Sequence, residues 1–184
     1  MTKRVMVFID GANLYRCVRD GLHIDQQVAI DALAKKLVGD RDLIRIYYYN
    51  TATPSEDEEA QKGQQRFLDK LSWLDNVQVR LGRLVPREVS VECRDCHKTV
   101  TLRTHIQKGV DTRIAVDMVT LAADDAYDIA ILVSGDSDLT EAVNYIRDHT
   151  HKKVENACVT GSSWAKDLRA SADIRTYITS EFLA

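Results

Sequence analysis

Hydrophobic and polar positions alternate along this chain with two different periods, and together they predict an α/β fold. Short apolar runs rich in β-branched and aromatic residues, typical of buried strands, lie at Val5–Ile9, Leu43–Tyr49, Val77–Leu81, Ile129–Val133 and Val154–Cys158. Longer stretches with apolar residues at helical spacing lie at Val28–Val38, Glu58–Leu74, Asp111–Ala123 and Asp138–Asp148. Because strands and helices alternate, the pattern predicts a three-layer α/β/α sandwich around a mainly parallel central sheet.

One segment, about residues 84–107, departs from this alternation. Its apolar residues alternate with polar ones on both sides of a Cys-x-x-Cys pair, at Val89, Val91, Val100 and Leu102. Alternation with a period of two is typical of strands that are exposed on one face. The segment therefore predicts a β-hairpin inserted into a single domain that spans residues 1–184.

The composition indicates a soluble globular protein. Of 184 residues, 45% are hydrophobic, 29% are charged and two are prolines, far from the composition of disordered or fibrous chains. The first apolar run is five residues long, too short for a signal sequence or a membrane span, so we expect a cytoplasmic protein with no membrane partner. The four cysteines do not suggest a secreted disulfide framework in a chain of this length, and reduced thiols are expected.

Charge is unevenly distributed along the chain. The net charge is −3, but residues 80–108 hold seven basic and three acidic residues, a local charge of +4 that leaves −7 on the remainder. A basic segment on an acidic body suits a ligand with a phosphate backbone that approaches a carboxylate site. A solvated surface hairpin gives the same count.

Two groups of acidic residues follow predicted strands. Asp10 ends the first strand and precedes Gly11 and Asn13, whereas Asp136 and Asp138 come shortly after the strand Ile129–Val133. Ligands of open parallel sheets bind beyond the carboxyl ends of the strands. If these two strands are neighbours, Asp10 and Asp136 converge on one site.

The acids at 136 and 138 could also begin a helix. Ser137 or Asp138 could cap it, and Asp138-x-x-Glu141 resembles a capping box. One cap needs one residue, so Asp136 is left for another role. Two carboxylates at a helix N-terminus would repel a phosphate unless a divalent cation intervened, which favours a metal site.

The helix after Gly109 carries two further acids, Asp111 and Asp117. They border an apolar stripe formed by Val110, Ile114, Met118 and Leu121. An acid in the first turn, such as Asp111, complements the helix dipole. That explanation does not cover Asp117, nearly two turns further, and we interpret Asp117 as a functional residue or a close neighbour of one.

Together these acids predict a site for a hard divalent cation. Carboxylate oxygens suit Mg²⁺ or Mn²⁺, and such ions activate water and stabilise the charge of an in-line displacement at phosphorus. The candidate catalytic residues are Asp10, Asp111, Asp117, Asp136 and Asp138, with metal ligands at Asp10, Asp111, Asp136 and Asp138. The candidate substrate-binding residues are Asn13, Lys108, Ser134, Arg83 and Arg103.

Three blocks of sequence, taken in order, resemble a known family. They are Phe8-Ile9-Asp10-Gly11-Ala12-Asn13-Leu14, Lys108-Gly109-Val110-Asp111 continuing to Asp117, and Ser134-Gly135-Asp136-Ser137-Asp138-Leu139. The chain resembles the LabA-like NYN-domain proteins of the PIN-like ribonuclease superfamily over about residues 4–178. The resemblance implies a PIN-like fold, RNA as partner, and RNA cleavage by Mg²⁺ or Mn²⁺ bound to the acids named above.

The Cys93-x-x-Cys96 pair could hold a structural zinc ion. A zinc site usually takes four ligands, and this segment offers one cysteine pair with His97 and His105 nearby. A reduced pair that binds no metal is equally consistent with the sequence. If zinc is present, we expect it to stabilise the hairpin and not to hydrolyse RNA.

Two other functions remain as alternatives, and one of them is disfavoured. Phosphatases of the haloacid dehalogenase type need a second acid two residues after the first, where this chain has Ala12. A non-catalytic domain that binds RNA or a protein partner would keep the same acids for stability or regulation. Exposed sheet edges and a protruding hairpin also make a homodimer plausible.

Overall fold

The computed structural model describes residues 2–51 and 58–184, without the side chains at positions 102, 103, 105 and 107. In this part of the chain, seven strands form one sheet in the order β4-β3-β2-β1-β5-β6-β7. All neighbouring strands are parallel except β3 and β4. The strands are β1 Arg4–Asp10, β2 Asp42–Thr51, β3 Val77–Glu92, β4 Thr99–Lys108, β5 Ile129–Val133, β6 Lys153–Val159 and β7 Ile174–Ile178.

Helices cover both faces of this sheet, which confirms the predicted three-layer sandwich. The helices are α1 Gly11–Leu22, α2 Ile30–Val38, α3 Glu58–Ser72, α4 Val110–Ala123, α5 Thr140–His149, α6 Lys166–Ser171 and α7 Ser180–Leu183. Residues of α1, α2, α3 and α7 pack on one face. Residues of α4, α5 and α6 pack on the other. No helix among the described residues has the length and apolarity needed to cross a membrane.

The central strand β1 is buried on both faces, and its alternate side chains enter the two halves of the core. Val5, Val7 and Ile9 belong to one apolar cluster, whereas Met6 and Phe8 belong to the other. All five are at most 5% exposed. Burying such a side chain contributes about 1.5–3 kcal/mol, so this continuous apolar run holds the centre of the sheet in place.

Strand β3 belongs to two pairings in turn. Its residues Val77–Gly82 pair in parallel with β2, and its residues Arg83–Glu92 pair antiparallel with β4. The predicted hairpin is therefore present, but its first strand is the continuation of the predicted strand Val77–Leu81 and not a separate element. Gly82 lies at the transition, where a Cβ atom would come within 2.7 Å of Cγ2 of Val110.

Several elements differ from the prediction. Helix α1 was not expected, although Leu14, Cys17 and Val18 have the spacing of a helical face and are buried. The elements α6, β7 and α7 were not expected either, since they are four to six residues long. The helix predicted from Asp138 begins instead as a 3₁₀ turn at Ser137–Leu139, and α5 follows from Thr140.

Candidate functional site

The carboxyl ends of β1 and β5 lie side by side, as the sequence pattern required for a shared site. The two strands pair in parallel, and Ile9 is opposite Val133. The next residues along each strand, Asp10 and Ser134, are 4% and 2% exposed. The Ser134 hydroxyl donates a hydrogen bond of 3.3 Å to Oδ2 of Asp10. Asp10 and the loop that carries Asp136 therefore meet at one edge of the sheet.

Asp10 has a structural task as well as a place in the site. Its Oδ1 accepts a hydrogen bond of 3.0 Å from the backbone N–H of Asn13, so Asp10 caps the N-terminus of α1. The following Gly11 allows the chain to pass close to Tyr48, because a Cβ at this position would lie 2.4 Å from the Tyr48 ring. One carboxylate oxygen is thus used in the fold, and Oδ2 faces Ser134.

Asn13 joins α1 to the loop after β5. Its Oδ1 accepts hydrogen bonds from the backbone N–H of Gly135 at 3.2 Å and from the Cys17 thiol at 3.4 Å. The residue is 7% exposed and borders the cleft described below. Its side-chain oxygen holds the two acid-bearing segments together, and its role in substrate binding stays a prediction.

The capping prediction for the second acid cluster is wrong. Oδ1 of Asp136 accepts a hydrogen bond of 3.1 Å from the backbone N–H of Asp138, so Asp136 is itself the cap of the 3₁₀ turn. Ser137 and Asp138 are the first residues of that turn. Capping and ligand binding are compatible for Asp136, as for Asp10, because each carboxylate has two oxygens.

The charges of these acids influence one another. Burial raises the pKa of Asp10 to about 6, and the carboxylates of Asp111 and Asp136 add to the rise, although hydrogen bonds from Asn13 and Ser134 oppose it. Burial also raises the pKa of Asp111, and the charges of Asp136 and Asp138 raise it further. Like charges disfavour the ionised form, so Asp10, Asp111, Asp136 and Asp138 act as one electrostatic group, hereafter the four-acid group.

The donor chemistry of the four-acid group fits a hard divalent cation. In the described part of the chain, none of its four members forms an ion pair. Among those same residues, no three potential ligands lie close enough together to hold an ion. Carboxylate oxygens are the ligands that Mg²⁺ and Mn²⁺ prefer, so the fit lies in the type of ligand and not in a preformed cluster.

Asp117 differs from the four-acid group in having an ion-pair partner, and its catalytic role stays a prediction. Its Oδ2 accepts a hydrogen bond of 2.7 Å from the Tyr49 hydroxyl, and its Oδ1 lies 3.1 Å from Nη1 of Arg80 in an ion pair. The Asp117 side chain is 13% exposed. The residue is half-buried, and the Arg80 guanidinium compensates its charge, which accounts for an acid at the border of an apolar stripe.

A cleft of about 1010 Å³ opens beside the four-acid group. Asp10, Asp111 and Asp136 lie along one side of it. Helix α1 contributes an exposed surface on another side, where the guanidinium of Arg19 lies 5.6 Å from the centre of the Tyr15 ring and Arg16 is also exposed. The remaining lining includes Tyr48 and Asn50 of β2 and Gln61, Gln64 and Phe67 of α3.

Sequence reasoning missed Tyr15, Arg16 and Arg19 as candidate binding residues. They were overlooked together with α1, because their place beside the acids depends on where that helix packs. The signal in the sequence was the basic and aromatic set Tyr15-Arg16-x-x-Arg19, which directly follows the block Phe8–Leu14. We name this exposed set the α1 basic surface.

The predicted substrate-binding residues of the hairpin lie at different distances from the cleft. Arg83 and Lys108 are exposed and face each other across the first pair of the hairpin, next to α4, but neither lines the cleft. The side chain of Arg103 is outside the described residues. Its backbone pairs with Glu88, five positions along the strand from Lys108, which corresponds to about 17 Å.

The Cys93 and Cys96 thiols are free and exposed at the tip of the hairpin. His97 is adjacent, and its Nδ1 lies 2.9 Å from Oε1 of Glu92. The side chain of His105 is outside the described residues, but its backbone pairs with Pro86. This position is six residues from the tip end of β4, or about 20 Å, so His105 is too distant to join the cysteines at one zinc ion.

Comparison with known proteins agrees with this architecture. A family model described as NYN domain matches residues 4–181. A crystal structure of a Vibrio parahaemolyticus protein of unknown function has the same fold, with a TM-score of 0.72 and 22% sequence identity. That similarity covers 100% of this chain and 97% of the other. No curated protein matches the sequence.

Proposed function

The chain belongs to the NYN domain family, within the PIN-like ribonuclease superfamily, and from this premise we propose that it is a metal-dependent ribonuclease. The observation that carries the proposal is the four-acid group beside an open cleft. Its carboxylates lack ion-pair partners among the described residues, and burial with mutual repulsion raises the pKa of Asp10 to about 6. An ionised carboxylate as buried as that of Asp10 is costly without a partner, and a divalent cation would compensate its charge.

Asp10, Asp111, Asp136 and Asp138 would hold the ion. A bound Mg²⁺ or Mn²⁺ supplies an activated water and neutralises the charge that develops on the phosphate during displacement. The chain's own residues fix the ligands beforehand. The Asn13 N–H and the Ser134 hydroxyl orient the Asp10 carboxylate, and the Asp138 N–H orients that of Asp136.

The α1 basic surface is the part of the cleft suited to the RNA strand. Guanidinium groups of Arg16 and Arg19 can pair with phosphates, and the exposed Tyr15 ring can stack on an unpaired base. The cleft has the four-acid group on one side and the α1 basic surface on another. In this arrangement, the arginines would hold the RNA backbone while one phosphate contacts the metal ion. We therefore propose single-stranded RNA as the substrate.

A second candidate function is RNA binding without cleavage. The observation that favours it is that no three ligands converge on one point among the described residues. In that case, the α1 basic surface would bind RNA and the acids would limit how closely the strand approaches. A phosphatase of the haloacid dehalogenase type is not supported, since Ala12 lines the cleft at the position where that mechanism needs an acid.

Cleavage of a single-stranded RNA labelled at one end distinguishes these functions. We expect Mn²⁺-dependent cleavage by the parent protein and a loss of at least about 100-fold in Asp10→Asn and Asp136→Asn, since removing a group that stabilises transition-state charge commonly costs this much. Asp148→Asn, a change of the same type at an exposed residue of α5, is the matched control. Equal cleavage by all four proteins would indicate a contaminating nuclease and exclude the proposed site.

Failure of cleavage by every protein would have a different meaning. Retained binding of RNA by the parent, without turnover in Mg²⁺ or Mn²⁺, would support the non-catalytic function. Circular dichroism of each variant establishes that the fold is retained. Asparagine is a good helix cap, so neither substitution should unfold the site.

A further inference from the structure

The tip of the β3–β4 hairpin folds into a closed turn around its two cysteines. The last strand pair joins Glu92 and Thr99. Beyond it, the N–H of Cys93 donates to the carbonyl of Lys98 at 2.9 Å, and the N–H of His97 donates to the carbonyl of Cys93 at 3.0 Å. His97 adopts a positive φ of 52°, which turns the chain back after Cys96.

This turn places both cysteines of the pair at the exposed tip, and both thiols are free. The two cysteines are separated by two residues, a spacing found in paired zinc ligands. Cysteine binds metals as the thiolate, and sulfur ligands suit Zn²⁺.

One chain does not complete such a site. Structural zinc is bound by four ligands, and the tip supplies two sulfurs. His105 is excluded by distance. Nδ1 of His97 contacts Glu92, and even if its Nε2 joined the two sulfurs, the set would still be one ligand short of four. Within the described ranges, no group of three His, Cys, Asp or Glu side chains could hold an ion.

We propose that two copies of the chain share one Zn²⁺, held by Cys93 and Cys96 of each copy. A two-fold axis through the ion presents the same tip from both sides and supplies four thiolates at once. Four thiols release four protons when they bind the ion. The resulting Cys₄ site is a common structural zinc arrangement.

The surface next to the tip is suited to the same partner. Val91 and Val100 face each other in the hairpin register and are 50% and 54% exposed. An isolated two-stranded ribbon is only marginally stable in water, and β4 is an edge strand of the sheet. A second hairpin placed across the zinc ion would cover these valines, but the area is small, so the dimer should depend on the metal.

Zinc content and molecular mass, measured together on the full chain, test this inference. We expect 0.5 zinc per chain and a dimer by sedimentation equilibrium, and a monomer after chelation with EDTA. Cys93→Ser and Cys96→Ser should each abolish both zinc and dimer while circular dichroism is unchanged. His97→Ala is the control at the same tip, and it should keep both because the proposed ligands are all sulfur.

Cobalt substitution distinguishes this site from the four-acid group, which can also bind divalent ions. Thiolate ligands give Co²⁺ an intense near-ultraviolet charge-transfer absorption that carboxylates do not give. This band should persist in Asp10→Asn/Asp136→Asn and disappear in Cys93→Ser. Neither readout involves RNA cleavage, so failure of the proposed function leaves this test intact.

Four results would overturn the inference. One is a full zinc ion per chain in a monomer, and another is loss of zinc in His97→Ala, which would place the site within one chain. The third is purified protein with a Cys93–Cys96 disulfide that binds no zinc after reduction. The fourth is a dimer that survives EDTA and both cysteine substitutions.

Discussion

Ser134 donates a hydrogen bond of 3.3 Å to Asp10, and this contact joins the ends of two neighbouring strands that are 124 residues apart in sequence. Asn13 makes a second connection between the same segments through the N–H of Gly135. Both contacts are buried. The position of Asp10 relative to the Asp136 loop is therefore set by the core and not by the acids, which repel one another.

The stability of the metal-free protein should fall with pH because of Asp10. Its pKa is raised from about 3.9 in the unfolded chain to about 6, so the uncharged form is favoured in the fold. This contribution is complete below about pH 4 and is lost as pH rises through 6. In EDTA, we expect the free energy of unfolding of Asp10→Asn to exceed that of the parent by on the order of 2 kcal/mol at pH 7.5. At pH 4 the difference should be much smaller.

Urea denaturation at both pH values measures this difference. Mn²⁺ should reduce this difference at pH 7.5, because the ion binds the parent, with all four carboxylates, more tightly than the variant and so stabilises it more. Asp148→Asn is the control. Because Arg147 lowers the pKa of Asp148, the charged carboxylate is favoured in the fold, and its removal should not stabilise the protein at pH 7.5. A parent protein that is as stable as Asp10→Asn at pH 7.5 would contradict the burial of an ionised Asp10.

Asp117 should be needed for stability and not for metal binding. Asp117→Ala leaves the Arg80 guanidinium without its partner and removes the acceptor of the Tyr49 hydroxyl, so we expect a loss of about 3 kcal/mol. Asp111→Ala should instead lower Mn²⁺ affinity by at least about 10-fold without loss of stability, because it relieves repulsion. Calorimetric titration measures the Mn²⁺ affinity of each variant, and urea denaturation measures its stability. Loss of Mn²⁺ affinity in Asp117→Ala without loss of stability would place Asp117 in the metal site.

A side chain at Gly11 should destabilise the fold while Tyr48 is present. In Gly11→Ala, the new Cβ would lie 2.4 Å from the Tyr48 ring. The shifts that accommodate such overpacking typically destabilise a protein by about 1–3 kcal/mol. Gly63→Ala in α3, where nothing lies within 4 Å, should stabilise by up to about 1 kcal/mol. In a double-mutant cycle, Gly11→Ala should cost less in a Tyr48→Leu background, and strict additivity would show that the ring is not the obstacle.

The α1 basic surface should carry the salt dependence of RNA binding. In an Asp10→Asn/Asp136→Asn background that prevents cleavage, Arg16→Ala/Arg19→Ala should weaken binding of single-stranded RNA. It should also reduce the slope of log K against log salt by about 1.4, the value for two phosphate contacts. Lys35→Ala/Lys153→Ala removes equal charge from exposed positions elsewhere and should leave the slope nearly unchanged. Equal effects of both pairs would indicate nonspecific attraction.

Much of the fold could be predicted because its strands carry local patterns. The strand at Ile129–Val133 was predicted with the bounds it has in the structure, since a fully buried strand needs an unbroken apolar run. Helix α1 was overlooked because its buried residues, such as Leu14 and Cys17, are separated by the arginines of its exposed face. The edge strand β7 was missed because it is largely exposed and so leaves little apolar pattern.

The candidate site was predicted where it depends on strand ends and mispredicted where it depends on side-chain geometry. Asp10 and Asp136 meet because parallel neighbouring strands end at one edge. The pairing of Asp117 with Arg80 could not be predicted, because it joins α4 to β3 through side chains 37 residues apart. Which residue caps this turn depends on the backbone angles at a single residue. The sequence fits Asp136, Ser137 and Asp138 equally well as the cap.

By itself, the sequence of this protein determined the alternation of strands and helices, the hairpin, and the set of acids at the strand ends. These features follow from hydrophobic periodicity and turn chemistry, which act between near neighbours in the chain. Only the tertiary structure decided which acids share a charge environment, which one is an ion-pair partner, and that His105 cannot reach the cysteines. Such relations depend on how distant segments pack, because electrostatic energies and hydrogen bonds depend on distance in space and not on separation in sequence.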